Sequence, residues 1–440
     1  MEPSSLSNKP NSYNYFVVAL FLLSAGLVFG LLGALQYIIP GFLKEYLSFE
    51  KIRPLHVSSV VFWIILAATG STLTYVQQHT KRKIYSSFLM KAQLAIFVFA
   101  IAIILISYII GVFGGREYWE FPPLLALPIA IGWILFLFNV FKSLKGLRNQ
   151  PVYVWMWMTG CVFFLFTFLE SYLWIFPYFR NNIIHDMTIQ WKSYGSIVGS
   201  WNMLIYGCSI FLMDKISEST HYSYSRIAFS LYFLGLFNLM FNWGHHIYTL
   251  PTHDYVKNIS YLVSMTELLI FGRIIYSWKS SLTQARKNLH IESYRFLLAA
   301  DIWVFLTLFL AILMSIPSIN VYTHGTHITV AHTMGATIGI NTMLLFAFCF
   351  DILKSKNNAA NTNHKYSLIS WAFTNISLLI FWITLIVAGV LKAKWQMAQT
   401  QIPFSSMMKS LQPAFIIFFL AGCALVLGLV AIIQRILRSN

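Results

Sequence analysis

The stretch ITVAHTMGATIG, residues 328–339, places a histidine and a methionine inside an apolar segment long enough to cross a lipid bilayer. Two further segments share this character, RPLHVSSVVFW at 53–63 and FNWGHHIYTLP at 241–251. Ionisable side chains inside membrane-spanning helices are costly, and by default they mark a functional site. The residues that decide both the fold and the candidate site are therefore His56, His245, His246 and His332.

The composition around these histidines is that of a membrane protein. Of 440 residues, 58% are hydrophobic and only 10% are charged, which is too apolar for a water-soluble surface. The apolar runs are continuous rather than alternating, which excludes a β-barrel and predicts one all-α membrane domain. A span needs about 20 residues, so we predict twelve, near 14–37, 54–78, 90–113, 122–142, 151–177, 190–213, 225–248, 256–278, 295–317, 325–353, 367–392 and 411–437.

The charged residues predict how these helices are oriented. The net charge of +16 lies in the joints between spans rather than along one helical face, which argues against nucleic-acid binding. Even-numbered joints are basic, whereas acidic residues such as Glu117 and Asp186 lie in odd-numbered joints. By the positive-inside rule both termini are cytoplasmic, with a short tail at 1–13 before the membrane domain at 14–437.

The predicted orientation places all four histidines in the outer half of the membrane. Unrelated core histidines would scatter in depth, so their common level favours a shared metal or haem site. Neutral imidazole binds haem iron and non-haem iron or copper. Adjacent histidines at a helix end can converge on one metal if the last turn departs from α-helical geometry, which Gly244 and Pro251 would permit.

The spacing of His332 and Met334 predicts that one helix serves two haems. Residues two apart project from nearly opposite faces, at about 100° per residue. His332 would bind one haem, while Met334, paired with His56 from the second span, would bind the other. The alternative for Met334 is ordinary core packing.

These segments together resemble the catalytic subunits of haem-copper oxidases, and among them the nitric oxide reductases and cbb-type oxidases. The resemblance covers most of the chain and implies a low-spin haem b, a high-spin haem b and a non-haem metal. GREYWEFPP at 115–123 resembles a segment that binds calcium near the haem propionates, which implicates Glu117 and Glu120. Oxygen ligands suit this hard cation.

The resemblance also implies a role for each site residue. His332 matches the proximal ligand of the high-spin haem, and His56 matches one ligand of the low-spin haem. His245 and His246 match two ligands of the non-haem metal, iron or copper. Glu267, in SMTELLIFG at 264–272, matches a glutamate that delivers protons or coordinates the metal; a structural hydrogen bond is the alternative.

Two positions depart from the family pattern. The family usually has a second histidine where this sequence has Met334. The sixth span, IQWKSYGSIVGSWNMLIYG at 189–207, lacks the histidine that would be the third metal ligand. Tyr194 is the nearest candidate for that position, with Glu267 and water as alternatives. An altered metal and a weakened site are the other interpretations of the missing histidine.

The sequence favours nitric oxide (NO) over oxygen as the substrate. The cbb-type oxidases carry a redox-active tyrosine six residues before the histidine pair, and here that position is Leu239. No CxxCH motif is present, so we expect electrons from a small cytochrome c-type subunit at the outer face of a bacterial inner membrane. The alternatives are a cbb-type oxygen reductase, a haem-free proton or metal transporter, and an inactive relative or sensor.

Overall fold

The structure is a computed structural model that describes residues 12–144, 146–263, 278–280, 282–353, 364–398 and 402–438. It is all-helical, and within those ranges eleven helices are long and apolar enough to cross a membrane. We number them α1 Tyr13–Ile38, α2 Phe49–Thr80, α3 Ser87–Ile110, α4 Ala126–Ser143, α5 Val152–Glu170, α6 Ile183–Ser217, α7 Arg226–Phe241, α8 Ile291–Ser315, α9 His327–Leu353, α10 His364–Met397 and α11 Gln412–Arg438.

Each of these helices corresponds to one predicted span. The remaining span, predicted at 256–278, falls largely on residues 264–277, which lie outside the described residues. Eleven of the twelve predicted spans therefore correspond to helices in the part of the chain that the structure describes. Short helical turns lie between the long helices, at Pro177–Arg180, Gln284–Leu289, Pro317–Thr323 and Phe404–Ser410.

Polar contacts between helix ends define one face of the bundle, which we call the basic face because Lys81, Arg82 and Lys83 follow α2 there. Near the end of α9, Asp351 accepts hydrogen bonds from Lys215 at the end of α6 (2.7 Å) and from Tyr75 near the end of α2 (3.1 Å). On the same face, Arg435 at the end of α11 pairs with Glu292 at the start of α8 (3.0 Å).

The opposite face carries the acidic joints, and we call it the acidic face. Arg53, near the start of α2, pairs there with Glu117 and Glu120 of the 111–122 loop. Arg116 of that loop binds Asp186, at the start of α6, through two hydrogen bonds of 2.7 and 2.8 Å. Helices α2, α6, α9 and α11 therefore end at the basic face, whereas α8 begins there. That the basic face is cytoplasmic stays a prediction.

Helix α9 changes its winding directly after the histidine–methionine segment. It is α-helical over His327–Met334, π-helical over Gly335–Thr342 and α-helical again from Met343. The Trp63 indole donates to the Thr342 hydroxyl across the helix interface (3.1 Å). A Cβ at Gly339 would lie 2.5 Å from the Trp303 ring, so this side chain of α8 packs directly on the α9 backbone. Single π-helical turns are frequent at functional sites.

The buried ion pair on the basic face gives a test of the packing. In Lys215→Met, the Asp351 carboxylate, whose side chain is 4% exposed, would lose its cation. We expect destabilisation of about 2 kcal/mol, less than for a fully buried pair because Lys215 is 34% exposed. Thermal denaturation in detergent should show a lower midpoint for Lys215→Met, largely restored in the double variant with Asp351→Asn. A midpoint unchanged in Lys215→Met would mean that the pair contributes nothing.

Candidate haem and metal site

His56 is held on α2 in a way that suits an axial haem ligand. Its Nδ1 is 2.7 Å from the carbonyl oxygen of Gly26 on α1, so Nδ1 carries the proton and Nε2 remains a base. The imidazole lies against Gly30, where a Cβ would come within 2.9 Å of the ring. A backbone carbonyl that fixes the tautomer is the usual support for a metal-bound histidine. The residues present here fit a haem ligand.

The histidine pair lies on a turn that is no longer α-helical. Helix α7 ends at Phe241 and continues as a 3-10 turn over Asn242–Ile247, in line with the predicted change in geometry. The two imidazole rings have centroids 4.1 Å apart. Close packing holds the turn on both sides, since a Cβ at Gly244 would lie 2.9 Å from Ser260, and one at Gly195 on α6 would lie 3.1 Å from Trp243.

Three further side chains surround His246. Its ring stacks on Trp191 of α6, with centroids 4.7 Å apart and planes 8° from parallel. His324, in the joint before α9, lies edge-on at 6.2 Å from the His246 ring and at 6.2 Å from Trp191. The structure thus places rings from α6 and from the joint before α9 against His246, and His332 of α9 interacts with it electrostatically.

The donor set for a non-haem metal is incomplete in the described part of the chain. No group of three histidine, cysteine, aspartate or glutamate side chains within it is arranged to hold a metal ion. His245 and His246 supply two neighbouring imidazoles, and their binding of a metal stays a prediction. Glu267, a candidate for a further ligand, lies outside the described residues.

Tyr194, the other candidate for the third ligand, contacts the acidic-face loop. Its ring packs edge-to-face on Tyr118, with centroids 5.6 Å apart. Tyr118 adopts the left-handed conformation with φ 72°, which is unusual for a residue other than glycine. These contacts relate Tyr194 to the loop rather than to the histidine pair, and its role as a metal ligand stays a prediction.

His332 and Met334 lie in the last α-helical turn of α9 before the π-helix. The buried Nδ1 of His332 has no hydrogen-bond partner among the described residues. Met334 is partly buried and packs against the main hydrophobic core. Both residues are placed on the helix as predicted, while the ligation of a haem by Met334 stays a prediction.

The proposed calcium ligands are paired with a cation of the chain itself. Glu117 and Glu120 both bind the Arg53 guanidinium, three residues before His56. The second carboxylate oxygen of Glu120 is buried and has no hydrogen-bond partner among the described residues. Burial raises the pKa of the Glu120 carboxyl, although backbone N–H groups and Arg53 lower it in part. That oxygen could bind a cation or water, and calcium binding stays a prediction.

Several residues of the site were not predicted from the sequence. Gly26 and Gly30 support His56, and Trp191 and His324 surround His246. His324 could have been noticed in the polar run THGTHITVAH at 323–332. The two glycines carried no signal, because small residues are common throughout membrane helices.

Gly30 offers a test of the low-spin haem site. In Gly30→Ala the added methyl group would push the His56 ring away, since 2.9 Å is well inside van der Waals contact. We expect loss of most of the low-spin haem spectrum while the high-spin haem is retained. Gly41→Ala is the matched control, because a Cβ there meets nothing within 4 Å. Equal low-spin haem content in both variants would contradict the proposed role of His56.

Comparison with known proteins agrees with this geometry. The family model described as Cytochrome C and Quinol oxidase polypeptide I matches residues 12–424. A nitric oxide reductase chain of Stutzerimonas stutzeri is 23% identical over 452 residues, covering 94% of this chain and 92% of the relative. A cbb3-type cytochrome c oxidase chain of the same organism is 21% identical over 468 residues, covering 97% and 95%.

A solved structure shows the same fold. The fold of a haem-copper terminal oxidase dimer matches with a TM-score of 0.77 at 14% identity, covering 98% of this chain and 84% of that chain. The sequence had indicated this superfamily, and the matched model spans nearly all of the helices described above. The chain is a multi-pass integral membrane protein and belongs to the haem-copper oxidase subunit I family.

Proposed function

We propose that the chain is the catalytic subunit of a membrane-bound respiratory nitric oxide reductase. Members of this family are oxidoreductases that bind haems and a metal centre. The reaction joins two NO molecules with two electrons and two protons to give nitrous oxide and water. When bound, the high-spin haem and the adjacent metal supply the sites that hold NO and pass on the electrons. His332 would hold that haem, and His245 with His246 would hold the metal.

The observation that carries this proposal is the residue at position 239. Oxygen reduction to water takes four electrons, and the resemblance to cbb-type oxidases places a redox-active tyrosine there. Leu239 is 3% exposed and packs on α6, where a Cβ at Gly199 would lie 3.0 Å from the leucine side chain. Ser196 donates to the Leu239 carbonyl oxygen at 2.7 Å. An alkyl side chain locked in this position can supply neither an electron nor a proton.

The proposal also assigns the low-spin haem, the proton donor, the electron donor and the non-haem metal. His56 and Met334 would hold the low-spin haem b, and electron transfer toward the high-spin haem b is the chemistry that this group would supply. Glu267 would supply protons near the centre. Since the chain has no CxxCH motif, a small cytochrome c-type subunit is the proposed donor, in a bacterial inner membrane. The non-haem metal would be iron or copper, because imidazole binds both.

A cbb-type oxygen reductase is the second candidate. The similarity to a cbb3-type oxidase chain extends over 95% of that relative, at nearly the same identity as to the nitric oxide reductase. Oxygen chemistry would then need a tyrosine other than one at position 239.

Turnover on the purified protein should separate the two functions. We expect NO consumption with nitrous oxide formation under anaerobic conditions, about two haems per chain by the pyridine assay, and little oxygen reduction. Brisk oxygen reduction with no NO turnover would exclude nitric oxide reduction. Absence of haem would instead favour a transporter, and haem and metal without turnover would favour an inactive relative or sensor.

Spectra of ligand variants test the assignment of the two haems. His332→Ala should lose the high-spin haem, whereas Met334→Ala should change the low-spin spectrum and leave the high-spin haem in place. Met240→Ala, at a 41% exposed methionine, is the control and should match the unmodified protein. A low-spin spectrum identical in Met334→Ala and Met240→Ala would show that Met334 only packs.

A further inference from the structure

An open groove lies between α10 and α11 at the basic face, remote from the histidine cluster. Its volume is about 410 Å³. Ile369 and Phe373 of α10 and Leu427 of α11 line it and are 52%, 44% and 67% exposed. The floor is made where the helices meet most closely, since a Cβ at Gly428 would lie 2.3 Å from the Thr374 hydroxyl. The groove is therefore an apolar channel that opens sideways from the bundle.

The end of the groove at the basic face is polar and positively charged. Arg435 and Arg438 line it together with Gln434 and Tyr366. Arg435 pairs with the Glu292 carboxylate (3.0 Å), to which Ser367 also donates (2.5 Å). Arg295 donates to the Ser367 hydroxyl (3.3 Å).

The side chains that line this end are basic rather than acidic. Two guanidinium groups, those of Arg435 and Arg438, line the groove, and no carboxylate is among its described lining residues. Arg438 is exposed in the last turn of α11 and is not part of the Glu292 pair.

We propose that this groove binds one anionic phospholipid. Its phosphodiester would lie between Arg438 and Arg435, with Gln434 and Tyr366 as further hydrogen-bonding groups. Its acyl chains would run along Ile369, Phe373 and Leu427. Basic pockets between helices at a membrane surface bind such headgroups, and arginine binds phosphate through paired hydrogen bonds. A zwitterionic lipid would bring a cation of its own next to these two arginines.

The site is connected to the helix that carries the candidate haem ligands. The Arg435 guanidinium lies over the Phe350 ring, 5.7 Å from its centroid, in the last turn of α9. Glu292 belongs to α8, which packs closely against α9 at Gly339. A phosphate held by Arg435 would therefore fix the ends of α8, α9 and α11 together, so bound lipid should raise thermal stability.

Lipid titration of the purified full-length chain tests this proposal. Delipidated protein in detergent would be titrated with phosphatidylglycerol, phosphatidylcholine and inorganic phosphate, with bound lipid counted by native mass spectrometry and stability followed by thermal denaturation. We expect one phosphatidylglycerol bound in preference to phosphatidylcholine, with a higher melting midpoint. Arg438→Gln should weaken binding about fivefold, the effect of one basic residue at a membrane surface.

Three further variants separate the effect of charge from the effect of groove shape. Ala431→Phe would fill the groove without changing any charge and should also lose the lipid. Ser370→Phe, on the other wall, repeats that test if the first variant folds poorly, as judged by haem content and gel filtration. Arg82→Gln, at an exposed arginine after α2, changes net charge equally and should bind like the unmodified chain.

Four outcomes would overturn the proposal. They are unchanged lipid binding in Arg438→Gln, equal binding of phosphatidylcholine, stabilisation by inorganic phosphate as large as by phosphatidylglycerol, and a co-purifying polypeptide seated in the groove of the native complex. NO turnover is not measured in these experiments. A negative result for the lipid site would therefore not contradict the proposed reaction, and a negative result for NO turnover would not contradict the lipid site.

Discussion

A polar atom inside lipid must find its partner within the protein, and the candidate site is organised by this requirement. The hydrogen bond from His56 Nδ1 to the Gly26 carbonyl satisfies one imidazole nitrogen and thereby fixes which nitrogen remains basic. The bond is possible only because Gly30 has no side chain where the ring lies. Helix α1 contributes no ionisable ligand, yet it orients the one on α2.

The sequence was sufficient to predict those features that are determined within a single stretch of the chain. Eleven spans are found among the residues that the structure describes, because about 20 consecutive apolar residues have few alternatives in a bilayer. The histidine pair was recognised, and so was the altered geometry of its turn near Gly244, because both are local. The superfamily was recognisable because several such local motifs occur in one order along the chain.

Features that depend on how two helices face each other could not be predicted. The stacking of Trp191 on His246 requires a particular rotation of α6 against the 3-10 turn. The pairing of Arg53 with Glu117 and Glu120 joins segments more than 60 residues apart. Spacing along one helix gives the face on which a residue lies, but it does not give the partner of that face.

The acidic-face loop shows how such a pairing changes the interpretation of a motif. Read alone, Glu117 and Glu120 are two hard oxygen donors for calcium. With Arg53 between them, one of their two negative charges is already compensated, and the guanidinium holds the loop on α2. A calcium ion would have to bind beside that guanidinium, and the buried second oxygen of Glu120 is the atom left to receive it.

The depth of the histidines within their helices bears on where electrons enter. His56 lies seven residues from the start of α2 and His332 five residues from the start of α9, which are distances of about 10 Å and 8 Å along the helix axis. The far end of α2 is 24 residues beyond His56, or about 36 Å. Haems held by these histidines would therefore lie much nearer the acidic face than the basic face. Electrons from a separate donor protein would therefore travel a shorter distance to the haems if the donor docked at the acidic face. The proposed lipid groove lies at the opposite, basic face, so a bound lipid would not obstruct such a donor.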